Sequence, residues 1–114
     1  MRRPGTDPQN VQMSDVLCDF CRTQWTESIP FIEGHQGSCL CGSCLTAAYT
    51  EVVKNGKSTA PAGSTCTMCL EVRRDPGWAS PTHPDGVAAI ICKRCINLAA
   101  TALSKDKDYG WKKP

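Results

Sequence analysis

The sequence has few aromatic residues and no long apolar run. Two Phe, two Tyr and three Trp are all its aromatic side chains, which is little material for a hydrophobic core. The apolar runs span only a handful of residues, too few for a transmembrane helix. The first residues, MRRPGTDPQNVQMSDV, are basic and then polar, without the apolar stretch of a signal peptide. These absences predict a cytoplasmic chain with reduced thiols and no membrane partner.

Cysteine is abundant instead, with nine residues among 114. A unit smaller than about 40 residues normally needs disulfides, a metal or a partner to be stable. An odd number of cysteines fits poorly with a closed set of disulfides, and a reducing compartment disfavours them. The cysteines are therefore predicted to bind metal.

Eight of the cysteines form four CxxC pairs. A CxxC turn directs two sulfurs at one ion, and two such pairs complete the tetrahedron that Zn²⁺ prefers. A single CxxC could be a thioredoxin-like redox motif, but four at paired spacing indicate two Cys₄ sites. The predicted ligands of two structural Zn²⁺ ions are Cys18, Cys21, Cys41 and Cys44 in the first site, and Cys66, Cys69, Cys92 and Cys95 in the second.

The spacing of these pairs shows a tandem repeat. The first and third pairs are 48 residues apart, and the second and fourth are 51 apart. The three additional residues lie between the CxxC pairs of the second copy, where DPGWASPTHPDG is rich in Pro and Gly. His35 and His83 also keep the spacing of 48 residues.

Cys39 has no cysteine counterpart, because the offset of 51 residues places it opposite Ile90. An unligated cysteine behaves much like a small buried apolar residue, and such a residue in a strand is the first interpretation. A reactive or regulatory thiol and a ligand that exchanges at the zinc are the alternatives.

A helix is predicted after the second CxxC pair of each copy, because the apolar residues there recur at i, i+3, i+4 and i+7. Lys54 followed by Asn55 and Gly56 marks the end of the first helix. The predicted buried stripe consists of Leu45, Ala48, Tyr49 and Val52 in the first helix and Ile96, Ala99, Ala100 and Leu103 in the second.

A short β-hairpin is predicted between the CxxC pairs of each copy. In the first copy its strands cover residues 29–33 and 38–40, and the turn covers 34–37. In the second copy residues 87–91 form the better strand, and Pro76, Pro81 and Pro84 make the opposite side irregular. Zinc knuckle, hairpin and helix follow one another in the order of a treble clef.

The predicted fold class is small, metal-stabilised α+β, with two tandem treble-clef zinc units. One helix cannot cover the apolar face of such a unit, so the two are expected to pack as a pseudo-dimer. The predicted boundaries are a disordered N-terminal segment (1–15), the first C4 zinc unit (16–55), a linker (56–64), the second C4 zinc unit (65–104) and a flexible tail (105–114).

The residues around the ligands resemble the N-terminal C4 zinc-binding domain of the ClpX unfoldase. The first copy has CDFC at 18–21, FIEG at 31–34 and CGSC followed by LTAAY; the second has CTMC, AAIIC, KRC and INLAA. In that family the domain dimerises, recognises substrates and adaptor proteins, and precedes an ATPase module, which the 114 residues do not contain. The resemblance implies a dimer made covalent and a protein-binding role, as an adaptor or in substrate recognition for Clp-type proteolysis.

The predicted function is therefore a noncatalytic zinc module that binds a protein partner, and a nucleic-acid-binding zinc finger is the alternative. Eight thiolates and two Zn²⁺ ions change the formal charge from +2 to −2, which is no general attraction for phosphates. Local basic patches remain candidates, at Arg73-Arg74, at Lys93-Arg94 and in the tail KDKDYGWKKP.

Catalysis is not expected, because four sulfur ligands leave no open position on zinc. His35 and His83 lie in turn-like sequence and are interpreted as exposed loop residues. The fragment GKST at 56–59 is not a phosphate loop, since Glu51 stands where its first glycine is needed. Redox release of zinc is a further possibility for any Cys₄ site.

Five aromatic residues are candidates for partner contact. Trp25 and Trp78 could instead support the small cores. Trp111 lies beyond the second helix in a Lys-rich terminus and is expected to be mobile when unbound. The five candidates are Trp25, Phe31, Trp78, Tyr109 and Trp111.

Overall fold

The computed structural model describes residues 1–72, 74–81 and 88–114. Each repeat contributes one two-stranded antiparallel sheet and one helix. The first repeat contains β1 (Phe31–Glu33), β2 (Cys39–Cys41) and α1 (Gly42–Ala48), which continues as a π-helical segment (Tyr49–Lys54); the second contains β3 (Gly77–Ala79), β4 (Ile90–Cys92) and α2 (Lys93–Ser104). The expectations for Arg73, His83, Pro84 and the first residue of the predicted 87–91 strand lie outside the described residues.

The first hairpin agrees with the prediction. Ile32 lies opposite Leu40 in the ladder between β1 and β2. The chain reverses through residues 34–38, where Gln36 and Gly37 have left-handed φ angles of 53° and 75°. A glycine adopts this conformation without a steric penalty. β1 begins two residues later than predicted, directly after the proline that weakens the preceding segment.

The second hairpin corrects the prediction. β3 is a regular strand, with Trp78 opposite Ile91, although the prolines predicted an irregular segment. Pro76 precedes the strand and Pro81 follows it, so neither has to donate a hydrogen bond to the ladder. β4 begins at Ile90, and the two alanines before it are outside the strand.

The structure also locates the length difference between the repeats. The residues that begin β1 and end β2 are ten apart, whereas those that begin β3 and end β4 are 15 apart. Before the hairpin the order is reversed: β1 begins ten residues after Cys21, whereas β3 begins eight residues after Cys69. The net excess of three residues therefore combines a longer hairpin loop with a shorter connection before it.

Both helices bury the stripe that the apolar spacing predicts, with Tyr49 half-buried and the other seven residues buried. α2 is a regular helix of 12 residues, whereas the first helix ends in a π turn in which Asn55 N–H donates to Thr50 O at 3.0 Å. Apolar spacing does not distinguish this turn from an α-helical one. Over so few residues, a helix with i−5 hydrogen bonds buries the same side chains as a helix with i−4 hydrogen bonds. Gly56, with φ of 65°, follows the helix end as expected. Among the described residues, no helix is both long enough and apolar enough to span a membrane.

The two repeats share one hydrophobic core. Its buried cluster contains Leu45 from the first repeat and Ile91 and Ile96 from the second. The rings of Phe20 and Trp78 stack across the two repeats, with centroids 5.8 Å apart and planes inclined by 26°. Each small unit therefore covers the apolar face of the other, and Trp78 supports the core.

The linker lies along the outer edge of β3. The N–H groups of Thr59 and Ala60 donate to Gly77 O at 2.9 and 3.1 Å. In return, the N–H groups of Gly77 and Ala79 donate to the hydroxyls of Ser58 and Thr59, at 3.1 and 2.9 Å. The residues of the GKST fragment thus cover a strand edge.

Both chain ends contact the first unit. The α-amino group of Met1 lies 2.6 Å from a carboxylate oxygen of Asp19. The indole N–H of Trp111 is 3.0 Å from Thr46 Oγ1 and 3.3 Å from Gly42 O. The disorder of residues 1–15, the flexibility of 105–114 in solution and the exact unit boundaries stay predictions.

Replacing Leu103 by Ala is expected to lower the free energy of unfolding by about 2–5 kcal/mol, because a buried leucine leaves a cavity. Leu103 is 1% exposed, whereas Leu98 on the same helix is 57% exposed. Leu98→Ala is the matched control and is expected to change stability by less than about 0.5 kcal/mol. Chemical denaturation of the metal-loaded proteins measures both values, and equal losses would contradict this placement of the core.

Candidate metal centres

The first CxxC pair of each repeat lies in a tight turn that backbone hydrogen bonds hold. Arg22 N–H donates to Cys18 O, and Cys18 N–H donates to Thr23 O, both at 2.9 Å. The second repeat has the same two bonds, Leu70 to Cys66 at 2.8 Å and Cys66 to Glu71 at 2.9 Å. The residue after each pair has a left-handed φ, 66° in the first repeat and 63° in the second. The two knuckles therefore have the same backbone conformation.

The second CxxC pair of each repeat joins a strand to a helix. Cys41 ends β2, and Cys44 lies in the first turn of α1. Cys92 and Cys95 have the same positions between β4 and α2. In each repeat the N–H at the strand end donates to the sulfur of the knuckle's first cysteine, at 3.3 Å in the first and 3.4 Å in the second. Such N–H donors stabilise negative charge on a sulfur ligand.

The structure brings the eight predicted ligands together in two groups of four. Within each group all four Sγ atoms lie within 4.8 Å of one another; the groups are Cys18, Cys21, Cys41 and Cys44, and Cys66, Cys69, Cys92 and Cys95. In the first group, Sγ of Cys21 and Sγ of Cys41 are 3.5 Å apart. Sulfurs about 2.3 Å from a tetrahedral Zn²⁺ are separated by roughly 3.8 Å. The spacing therefore fits one metal ion in each group.

Within each group, a thiolate on one cysteine is favoured and a thiolate on its neighbours is disfavoured. Hydrogen bonds from the thiols of Cys41 and Cys44 lower the pKa of Cys18 to about 2. The hydrogen bond to Cys18 raises the pKa of Cys41 to about 12 and also raises the pKa of Cys44. In the second group, a hydrogen bond from Cys95 lowers the pKa of Cys66 to about 4, burial raises the pKa of Cys92 to about 11, and the hydrogen bond to Cys66 raises the pKa of Cys95. A divalent cation is what would let the remaining sulfurs become thiolates.

Thr23 is a residue near the first centre that sequence reasoning missed. Its Oγ1 lies 3.0 Å from Sγ of Cys21. When Cys21 is a thiolate, the hydroxyl can donate to the sulfur, and outer-shell bonds of this kind orient a metal ligand. Glu71 has the equivalent position in the second repeat. Sequence spacing does not single out Thr23, because Ser43 and Thr46 also carry hydroxyls two positions after a predicted ligand.

Cys39 is separate from both sulfur groups. Its carbonyl accepts the N–H of Asp19 at 2.9 Å, just as the carbonyl of Ile90 accepts the N–H of Thr67 at 2.7 Å. The strand position shared with Ile90 is therefore confirmed. Cys39 is 6% exposed, and burial raises the pKa of its thiol. The interpretation as a buried apolar residue is confirmed, and a reactive thiol is disfavoured because its thiolate is suppressed.

The other predicted residues lie outside the sulfur groups. His35 is exposed in the hairpin turn, and its backbone N–H donates to Met68 O at 2.8 Å. Among the described residues, the groups of potential metal donors consist of cysteines alone. The aromatic residues other than Trp78 that were considered for partner contact are half-buried, namely Trp25, Phe31, Tyr109 and Trp111.

No protein-family model matches the chain, and no curated protein or solved structure is significantly similar to it. The identification of the two candidate metal centres therefore rests on the sulfur geometry of this chain.

Replacing Cys41 by Ser is expected to reduce the bound metal from two ions to one, because the first group loses one of its four sulfurs. Cys39→Ser, two positions away in the same strand, is the matched control and should retain both ions. Native mass spectrometry counts the ions in each variant. A Cys41→Ser protein that retains two ions would show that Cys39 can replace a ligand.

Metal binding is expected to release at least two protons per ion near pH 7. The reason is that Cys41 and Cys44 in the first group, and Cys92 and Cys95 in the second, have raised pKa values and bind metal only as thiolates. A thiol stays protonated at pH values below its pKa, and protons then compete with the metal for the sulfur. Metal affinity should therefore fall as pH falls. Calorimetric titration in buffers of different ionisation enthalpy counts the protons. A count near zero would contradict thiolate ligation.

Proposed function

We propose that each sulfur group holds one structural Zn²⁺ and that the chain is a noncatalytic protein-interaction module. Four thiolates at tetrahedral spacing are the donor set of structural zinc sites. Such an ion has no open position for water or substrate, which supports a noncatalytic role. Zinc binding contributes folding free energy on the order of 10 kcal/mol per site, a large term for units with so small a core.

The observation that carries the interaction role is the outer edge of β1. Hydrogen bonds from Gly34 N–H to Ser38 O at 2.8 Å and from Gly42 N–H to Pro30 O at 2.9 Å bracket the hairpin ladder. They direct the even-numbered residues of this segment toward β2, so the backbone groups of the two odd-numbered residues, Phe31 and Glu33, point away from it. Within the described residues, no group accepts from or donates to these outward backbone groups.

The equivalent edge of the second repeat is occupied by the linker. The outward backbone groups of β3 are those of Gly77 and Ala79; Gly77 O accepts from linker N–H groups, and the N–H groups of both residues donate to linker hydroxyls. β1 has no corresponding segment among the described residues. The outward groups of β1 are therefore open to hydrogen bonds from a partner protein, and an extended segment can supply them by strand addition.

An apolar groove beside β1 can accept side chains of such a segment. Its volume is about 310 Å³. Ile32 from β1, Met68 from the second knuckle, and Leu98 and Ala102 from α2 line it. Strand addition supplies affinity through backbone hydrogen bonds, and a neighbouring pocket supplies specificity. The proposed partner is therefore a protein with an extended, partly apolar segment.

The narrower interpretation, an adaptor or substrate-recognition role in Clp-type proteolysis in the cytoplasm, rests on the sequence resemblance to the ClpX zinc-binding domain. The nucleic-acid alternative has weaker support, because the zinc-loaded chain has a formal charge of −2 by the count of its thiolates and ions. Retention of binding partners from a cell extract distinguishes a protein partner from a nucleic acid.

Replacing Glu33 by Pro is expected to lower the affinity for the partner about tenfold, because the substitution removes an outward N–H that an added strand would use. The fold should persist, since proline is tolerated where the N–H points away from the ladder. Zinc-loaded wild type and variant serve as baits for a cell extract, and the proteins retained by wild type are tested individually by titration.

Hydrogen exchange supplies the internal control. The amides of Phe31 and Glu33 should exchange more slowly when a retained protein is bound, whereas those of Gly77 and Ala79 are already bonded and should not change. Protection elsewhere on the chain would place the interface away from β1. Retention of RNA or DNA with a steep loss of affinity in salt would favour the alternative function.

A further inference from the structure

The two metal centres differ in how solvent reaches their sulfurs. In the first centre three cysteines are buried, and Cys21 alone is half-buried. In the second centre both Cys69 and Cys95 are half-buried, and both line the groove between β1 and α2. An incoming ligand can therefore approach two neighbouring sulfurs of the second centre from one open side.

The outer shell of the second centre is also weaker at one of these sulfurs. The hydroxyl of Thr23 lies 3.0 Å from Sγ of Cys21 in the first centre. Its counterpart Glu71 has no hydroxyl to donate to Cys69. Loss of an outer-shell bond commonly lowers metal affinity about 10–100-fold. Cys69, which is half-buried like Cys21, thus lacks the hydroxyl contact that its counterpart has.

The groove contains one basic and one acidic side chain near the second centre, since Arg94 and Glu33 both line it. Arg94 precedes Cys95, is exposed and lines the groove. Within the described part of the chain, its guanidinium has no hydrogen-bond partner or ion-pair partner. The equivalent residue of the first repeat is Ser43. A carboxylate of an incoming compound can therefore pair with Arg94 beside the second centre, whereas the first centre has no basic side chain at the equivalent position.

We propose that the second centre is a metal-exchange site for small, anionic thiol compounds, which enter the groove through the attraction of Arg94. With Zn²⁺ bound, the sulfur of the incoming thiol would take the ligand position of Cys69, which lacks the outer-shell hydroxyl. The proton of the incoming thiol would pass through water to the released sulfur of Cys69, so no oxidation state would change. The inference depends on the zinc assignment above and is independent of the protein partner.

Zinc release from the fully loaded chain tests the inference, with mercaptosuccinate as the anionic thiol and cysteamine as the cationic one. A metallochromic chelator records the released zinc. One ion per chain should leave well before the other, and faster with mercaptosuccinate than with cysteamine. Brief alkylation followed by peptide mass spectrometry should label Cys69 and Cys95 before any cysteine of the first centre.

Three variants connect the release to the groove. Arg94→Ala should slow release by mercaptosuccinate about fivefold without slowing release by cysteamine. Ser43→Ala, at the equivalent position of the first repeat, is the matched control and should behave as wild type. Ala102→Trp places a large side chain in the groove and should slow release by both thiols.

Release of both ions at one rate, or early labelling of the first centre, would overturn the inference. Equal effects of Arg94→Ala on the two thiols would show that the charge of Arg94 does not guide the ligand. Zinc is counted before each reaction, so a chain that never held two ions would instead disprove the zinc assignment.

Discussion

The fold depends on keeping four sulfurs of each group close together, an arrangement that is unfavourable unless a cation neutralises them. The hydrogen bond between Cys18 and Cys41 illustrates the problem, since it lowers the pKa of Cys18 and raises the pKa of Cys41. A divalent cation would convert this repulsion into the main attraction of the unit. The knuckle, the end of the second strand and the first turn of the helix meet at the sulfurs, so a bound ion would connect all three elements of each repeat.

Duplication solves a second problem, the small amount of apolar material. One hairpin and one helix leave an apolar face exposed, and the shared core covers it by placing the two repeats face to face. The stack of Phe20 on Trp78 crosses this boundary. Outside this shared core, the surfaces of the two repeats differ. The linker covers β3 and leaves β1 open, and Arg94 stands where the first repeat has Ser43.

The sequence predicts the parts of this structure that follow from spacing. The CxxC pairs and the repeat offset identified both sulfur groups, and the helical period identified the buried stripe, including the place of Cys39 opposite Ile90. Spacing could not predict β3, because proline frequency does not reveal whether Pro76 interrupts a strand or precedes it. It also could not predict Thr23 beside a sulfur or the groove, since both depend on how separate segments approach one another in space.

The open edge of β1 and the accessible sulfurs of the second centre belong to one region of the surface. Ile32 and Glu33 line the same groove as Cys69 and Cys95. A segment bound along β1 with a side chain in this groove would therefore lie between solvent and those sulfurs. Binding of the proposed partner and binding of a thiol compound in the groove would then compete, and each would lower the equilibrium affinity of the other by the same factor.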